Sequence, residues 1–406
     1  MNRKSASCVL IVLFLFSFAT ACSRTGTAGY ASSTEALASE SRDDASIASE
    51  STAAAAVTEP ETTSAASTER VVGPNSVPVV TARAADDYGQ LQVIGTNLCD
   101  SRGNPVQLKG MSTFGFNMIA DYFISEESIK TLAQDWGCSV FRIAMDIDMG
   151  VDTYLDAPEK YFDLTCAAVD LCIAQGIYVI IDWHILADGN PMSHIDESLD
   201  FFTRMSAKYS ESPNVLYEIC NEPNSGSAGD PAKAITWAGD VKPYAEQVVA
   251  AIRSNDPDNI IIIGSPNWST QVDVASQSPV EGTNLIYTVH FYAGTSGQEQ
   301  RDAMDIAMAN GIALFVTEWG TTYATGGGFV FIEESDAWLD YLDEHKISWC
   351  NWSIGSPIIE KSNALKMASN ILTPEEKLAC HWPDEYITQS GLYVRSRLLG
   401  IPYVES

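Results

Sequence analysis

From residue 107 onward the chain repeats one pattern: a short apolar, β-branched run, then a polar loop, then a longer stretch with helical period. Eight such runs occur, at 107–112, 139–145, 178–184, 215–222, 259–265, 285–292, 313–320 and 347–353. Several are apolar on both faces, as strands buried within a parallel sheet must be. Helix-length segments are expected between them, near 126–136, 157–175, 196–209, 231–254, 297–310, 334–344 and 385–398. In the second of these, Phe162, Cys166, Val169 and Ile173 fall on one face and Gly176 supplies a stop. Eight strand–helix units in order imply an α/β fold, a (β/α)8 TIM barrel. Runs at 90–95 and 105–108 flank the turn-forming Asp100-Ser101-Arg102-Gly103, which implies a short β-hairpin ahead of the barrel.

The residues before the barrel have another character. Arg3 and Lys4 precede an apolar run from Val9 to Ala19, long enough for a signal-peptide core and too short to span a bilayer. Ala19-Thr20-Ala21 fits ordinary signal cleavage, and Ala21-Cys22 also fits a bacterial lipoprotein site. Both cut before Cys22, leaving it lipidated or a free thiol. Residues 22–87 are mostly Ser, Thr, Ala and Glu, too polar to offset their chain entropy by burial. The expected organisation is therefore a signal peptide at 1–21, a disordered, lipid-anchored linker at 22–87 and the barrel domain at 88–403. Of the net charge of −30, the leader carries +2 and the linker −6, which leaves −26 on the remainder. That sign excludes nucleic-acid phosphates and acidic membrane surfaces as partners, so membrane contact is expected only through a lipid at Cys22.

Cys99, Cys138, Cys166, Cys172, Cys220, Cys350 and Cys380 are odd in number, lack a Cys-x-x-Cys and mostly sit in apolar runs, so they read as buried free thiols. In such a barrel the chemistry gathers at the carboxyl ends of the strands. Those ends carry Arg142, Trp183-His184, Asn221-Glu222-Pro223, His290 with Tyr292, Glu318-Trp319 and Trp352. Glu222 and Glu318 leave runs three steps apart and face each other across the mouth. One carboxylic acid can protonate a leaving oxygen while a second carboxylate attacks a sugar carbon. Indole rings at the rim suit the apolar face of a pyranose, although Trp319 and Trp349 read as core. His194, His345 and His381 are assigned outside the site. Zinc-protease, serine-hydrolase and phosphate-loop patterns are missing from the sequence.

Four segments, 179–186 (VIIDWHIL), 215–224 (VLYEICNEPN), 288–295 (TVHFYAGT) and 315–321 (FVTEWGT), resemble the bacterial endoglucanases of glycoside hydrolase family five. The resemblance spans about residues 90–400. It implies a retaining mechanism with Glu222 as acid/base and Glu318 as nucleophile. It further implies that Asn221 bonds the sugar 2-hydroxyl, that Tyr292 orients Glu318, and that Arg142 keeps Glu318 ionised. His184 and His290 would line the minus-one sugar and the acid, Trp352 would lie under the reacting ring, and Trp268 would stack on the leaving-group side. No metal or cofactor is expected. The implied substrate is a β-glucan polysaccharide or oligosaccharide, and the implied protein a monomer outside or on a bacterial cell.

The chain also departs from that pattern. Where such enzymes commonly read Ser-Thr-His-Gly, this one reads Ser112-Thr113-Phe114-Gly115; Met118 stands where a Trp is usual, and Ile358 where a Lys is frequent. All three fall on the non-reducing side of the cleft. Two alternatives to an endo-β-1,4-glucanase therefore stay open: the same scaffold acting on mannan, mixed-linkage glucan or xyloglucan, and a surface glycan-binding lipoprotein without turnover.

Overall fold

The computed structural model describes residues 79–117, 124–148, 152–225, 234–355, 382, 384 and 387–404. The expected signal peptide, Cys22, most of the linker, Met118, Ile358, Cys380 and His381 lie outside the described residues. The described chain opens with α1 (Ala84–Tyr88) and an antiparallel hairpin, β1 (Gln92–Ile94) with β2 (Asn97–Cys99). Eight parallel strands follow: β3 (Lys109–Thr113), β4 (Val140–Asp146), β5 (Tyr178–His184), β6 (Val215–Glu218), β7 (Ile260–Ile263), β8 (Leu285–Tyr292), β9 (Ala313–Gly320) and β10 (Ser348–Ile354). They pair in chain order, and β10 closes back onto β3. This is the expected (β/α)8 barrel.

Around it run α2 (Glu126–Gln134), α3 (Pro158–Gln175), α4 (Ile195–Tyr209), α5 (Lys242–Arg253), α6 (Val272–Ser276), α7 (Gln298–Ala309), α8 (Ile332–Glu344) and α9 (Gln389–Leu399). Local chemistry sets their ends. Ser125 and Ser128 form a reciprocal capping box that starts α2. Pro158 opens α3, and Gly176 closes it with a left-handed φ of 71°.

The strands divide the apolar residues between two cores by their two-residue period. Outward-facing Ile143, Ile181, Tyr217, Ile261, Val289 and Val316 pack against helix residues such as Val169, Phe202, Val248 and Leu339. Inward-facing Val140, Ile180, Leu216, Ile262, Ile286 and Phe315 fill the lower barrel, and Leu91 and Leu98 of the hairpin with Ala84 and Ala85 of α1 seal it below. One and two steps further up the same strands the inward residues become ionisable: Arg142, Asp182, Glu218 and His290, all buried. The six described cysteines are buried and free, as expected.

Four expectations need correction. The turn expected at Asp100–Gly103 is present, with the Asp100 carboxylate accepting from the backbone N–H of Arg102 and Asn104, both at 2.8 Å, and it sets Cys99 antiparallel to Pro105; but the segment at 90–95 pairs with β2 through a second turn at Gly95-Thr96 rather than with 105–108. The fourth barrel strand ends at Glu218 instead of residue 222, since Pro223 has no N–H for a ladder and Asn221 bonds back to Trp183 and Ile185. The helix expected at 231–254 is regular only from Lys242, behind a wider π turn over Trp237–Val241. α1 also lies on the linker side of the boundary expected at residue 88.

Candidate active site

A single guanidinium organises the upper barrel. Arg142, fully buried on β4, donates Nε to Glu218 Oε2 at 2.7 Å and Nη2 to Glu218 Oε1 at 3.1 Å. Nη2 also donates to Asn221 Oδ1 at 2.7 Å and lies 2.9 Å from Asp182 Oδ2, while Nη1 reaches Glu318 Oε2 at 3.2 Å. Burial works against its charge, but Asp182, Glu218 and Glu318 outweigh burial and hold its pKa above the ordinary value.

Glu318 reaches this arginine through an irregularity. Phe315 and Thr317 face inward by strict alternation, which would send Glu318 outward. The β8–β9 register slips between Thr288 and His290, so Thr288 pairs with Phe315 and His290 with Glu318. The extra residue turns Glu318 inward and returns Trp319 to the outer core, as a bulge re-aims a side chain. Glu222 reaches the mouth by leaving its strand: Cys220 joins the outer core, and Ser269 Oγ donates to the Asn221 carbonyl at 2.6 Å.

The two glutamates have opposite proton affinities. Burial would raise Glu318, but the positive charge of His290, Arg142 and His184 and a 2.7 Å hydrogen bond from Tyr292 bring its pKa below the usual value. Glu222 is raised, first by burial and then by the charge of Glu318.

A proton is shared next to Glu222. The Thr317 hydroxyl donates to Glu218 Oε1 at 2.7 Å, so at 3.0 Å from His290 Nε2 it must accept. His290 Nδ1, 2.8 Å from Glu222 Oε1, then either accepts from protonated Glu222 or donates to the carboxylate. Burial disfavours a charged His290, but hydrogen bonds to Glu218 and Glu222 and the charge of Glu318 raise it to about 9. The pair therefore holds at least one exchangeable proton at neutral pH.

The remaining expected residues surround this centre. His184 Nδ1 lies 2.7 Å from Asp182 Oδ2, and its ring stacks on Trp352 with centroids 5.3 Å apart and planes 4° apart. Phe114 also packs against Trp352, with ring centroids 5.8 Å apart and planes tilted by 57°. Asn221 keeps one Nδ2 hydrogen beyond its bond to the Ile185 carbonyl. Trp268, 39% exposed, sits in a left-handed turn after β7 whose N–H bonds the Pro223 carbonyl at 3.1 Å. Trp319 and Trp349 are core residues, and His194 and His345 lie away from the cluster, beside Asp148 and Tyr341 respectively.

Asp182, Glu218 and Thr317 escaped the sequence reading. Their signal was present: a lone Arg142 in an apolar strand demands buried carboxylates, and Asp182 and Glu218 share the inward parity of His184 and Leu216 on neighbouring strands.

Glu222, His290 and Glu318 each offer a ligand atom within 4.8 Å of the others, the one such group among the described residues. Their chemistry is that of proton handling: a guanidinium already faces Glu318, and the imidazole is drawn toward its cationic form by three surrounding glutamates. A cation would meet this positive charge head-on.

The family model for cellulase (glycosyl hydrolase family 5) matches residues 99–357. An endoglucanase of Clostridium saccharobutylicum is 42% identical over 330 residues, covering 81% of this chain and 69% of that protein. Endoglucanase A of Evansella cellulosilytica is 43% identical over 299 residues, covering 73% of this chain but 57% of its own length. The solved catalytic domain of Thermobifida fusca endoglucanase Cel5A superposes with a TM-score of 0.70 at 34% identity, covering 78% of this chain and 99% of that one. A variant of that domain is solved in complex with cellotetraose.

Proposed function

Because the chain belongs to glycosyl hydrolase family 5, we propose that it hydrolyses internal β-1,4 bonds of cellulose or a related glucan with retention of configuration. One observation carries this reading: an oxygen of Glu222 and an oxygen of Glu318 lie within 4.8 Å, one glutamate biased toward its acid and the other toward its anion. Retaining sites hold their two carboxyl groups about 5–5.5 Å apart, whereas inverting sites need roughly 6.5–9.5 Å to admit a water between carboxylate and sugar.

In the first step Glu318 attacks the anomeric carbon as the glycosidic bond breaks, and Glu222 gives its proton to the leaving oxygen. In the second, a water attacks the glycosyl–Glu318 ester, Glu222 takes the water's proton, and Glu318 departs as a carboxylate. The proton taken from water restores Glu222 to its acid form for the next cycle, and His290, 2.8 Å from its Oε1, holds that carboxyl in place. Arg142 and Tyr292 hold Glu318 ionised and oriented; Asn221 offers its spare N–H to the 2-hydroxyl. Trp352, stacked on His184, forms the floor under the reacting sugar, Trp268 takes the leaving-group side, and Phe114 and Met118 belong to the opposite wall.

Reducing-sugar release from a soluble cellulose derivative tests the activity, with mannan, mixed-linkage glucan and xyloglucan in parallel to fix the glucan. Proton NMR of the earliest product tests the stereochemistry, and α-anomer appearing first would refute a retaining mechanism. The same proposal includes export as a monomer: a cleaved signal at 1–21, a lipid on Cys22, and a linker at 22–87 whose roughly 45 Å average span holds the barrel clear of the envelope. Labelled palmitate should enter the full chain and not its Cys22→Ser variant.

A further inference from the structure

Among the described residues only three aromatic side chains are strongly exposed: Trp268 at 39%, Tyr323 at 42% and Phe329 at 77%. None is on an outer helix. All three stand on loops that leave the carboxyl ends of barrel strands, Trp268 after β7 and the other two after β9. Tyr323 follows Glu318 by five residues, so its backbone lies within roughly 17 Å of that glutamate, a reach of a few sugar rings.

The β9 loop is braced. Thr321 and Thr322 are buried at its root, and the Thr322 carbonyl accepts from Gly294 N–H at 3.0 Å. Ala324 N–H bonds Thr295 Oγ1 at 2.9 Å, and the Thr321 carbonyl accepts from Phe331 N–H at 2.8 Å. Inside the loop Gly326 N–H returns to the Tyr323 carbonyl at 2.8 Å. Tyr323 meets Phe331 edge-on with centroids 4.9 Å apart. A Cβ on Gly328, whose φ is +91°, would lie 2.4 Å from the Tyr323 ring, and a Cβ on Gly294 would lie 2.4 Å from the Phe331 ring. Two glycines thus leave room for an aromatic pair that presents Tyr323 outward in one fixed pose. Fixing an exposed phenol has no core-packing return, whereas a rigid aromatic surface on a cleft rim binds a sugar face without losing rotamer freedom.

Resting on the proposed glucan hydrolysis, we propose that Tyr323, with Phe329, forms a stacking surface for a glucose unit two or more rings beyond the reacting ring on the non-reducing side. β9 pairs directly with β10, which carries Trp352 and through it Phe114. Trp268 follows β7, two strands away, where the proposed reading puts the leaving group. The loop thereby supplies aromatic area to the wall where Phe114 replaces a hydrogen-bonding group.

The test is a length series of aryl β-cello-oligosides, in which added sugars extend only the non-reducing side. Tyr323→Ala should leave kcat/KM on the aryl cellobioside within twofold and lower it about three- to tenfold on the aryl cellotrioside and cellotetraoside. Phe329→Ala should act in the same direction, and Tyr323→Trp should restore the longer substrates. Equal loss at every length marks a merely structural loop and overturns the proposal. So does loss confined to unsubstituted oligosaccharides extended on the leaving-group side. If the unaltered protein hydrolyses nothing, the proposed function fails by itself, and titration of cellotriose and cellotetraose onto the unaltered chain and Tyr323→Ala still decides the loop. Equal affinities in that titration, or none, overturn it.

Discussion

The barrel interior is two environments stacked on the same strands. Below, Val140, Ile180, Leu216, Ile262, Ile286 and Phe315 form an apolar plug closed by the hairpin. Above, within one or two inward positions, Arg142, Asp182, Glu218, His290 and Glu318 crowd four titrating groups around one guanidinium. The lower layer follows strand alternation without exception and contributes by area removed from water. The upper layer depends on a register slip at Thr288/His290, a strand that stops at Glu218, and charges that are tolerable only as a set. The regular half stabilises; the irregular half is where chemistry can occur.

The sharpest way to break this division is to remove charge from the upper layer and follow activity. Glu318→Gln should lower turnover by about 10^4-fold or more on every substrate, since the covalent step has no substitute nucleophile. Glu222→Ala should spare aryl glycosides whose leaving groups need no proton and abolish turnover on unactivated glucan. Equal losses on both substrate types would contradict the role of Glu222.

Next in size is stability. Arg142→Leu leaves Asp182, Glu218 and Glu318 buried without their counter-charge and should cost about 3–5 kcal/mol, measured by urea unfolding. Phe315→Ala, one layer below, should cost about 3–5 kcal/mol through a cavity while leaving kcat on soluble glucan within about threefold. If Phe315→Ala instead removes activity in proportion to stability, the layers are not separable.

How much of this was legible beforehand follows the same line. Strands buried on both faces announce themselves as uninterrupted apolar runs, so the eight barrel strands and their order were readable, and Tyr178–His184, Leu285–Tyr292 and Ala313–Gly320 matched to the residue. Glu222, Glu318, Arg142 and the two histidines were found as polar groups ending such runs. What alternation alone misplaces is Glu318, which a strict two-residue period would put outside, and Glu218, which looks like mid-strand filler. A bulge is a property of paired strands and cannot be read from one of them. The hairpin shows a milder form of the same limit: the Asp100 signal marks a true turn that sets Cys99 antiparallel to Pro105, but the shorter Gly95-Thr96 turn, which pairs β1 with β2, carries a weaker signal.

A pH series sharpens the comparison with smaller effects. His290 titrates near 9 in the folded protein against an ordinary value of 6.5, so its contribution to stability is complete below about 6.5 and is lost as pH rises through 9. Glu222, also raised, works in the same direction. Glu218 is lowered to about 2, so its share is present above its ordinary 4.5 and lost as pH falls toward 2. Unfolding midpoints should therefore fall off on both sides, with the alkaline decline accompanied by loss of kcat as the Glu222–His290 proton leaves. His290→Asn should flatten the alkaline limb; an unchanged limb would place the titrating group elsewhere.

The smallest expected effect lies at Phe114, on the border between the two layers' logic. Its ring packs on Trp352 at 5.8 Å, an apolar contact set into the polar half, and a Cβ at Gly355 would approach the Phe114 Cβ to 2.4 Å, so there is little space for the side chain to shift. Phe114→His exchanges aromatic packing worth about 0.5–1.5 kcal/mol for one hydrogen bond to a sugar hydroxyl worth about the same. The near cancellation predicts a change in kcat/KM on cellotriose and cellotetraose of no more than about threefold, with stability slightly reduced. Its sign is the informative quantity. A gain on short cello-oligosaccharides means that the wall lacks a donor for a cellulose-like chain, and the combined Phe114→His, Met118→Trp variant should then gain more. A loss means that Phe114 supports the Trp352 floor in its own right, and the rim aromatics after β9 take over recognition on that side.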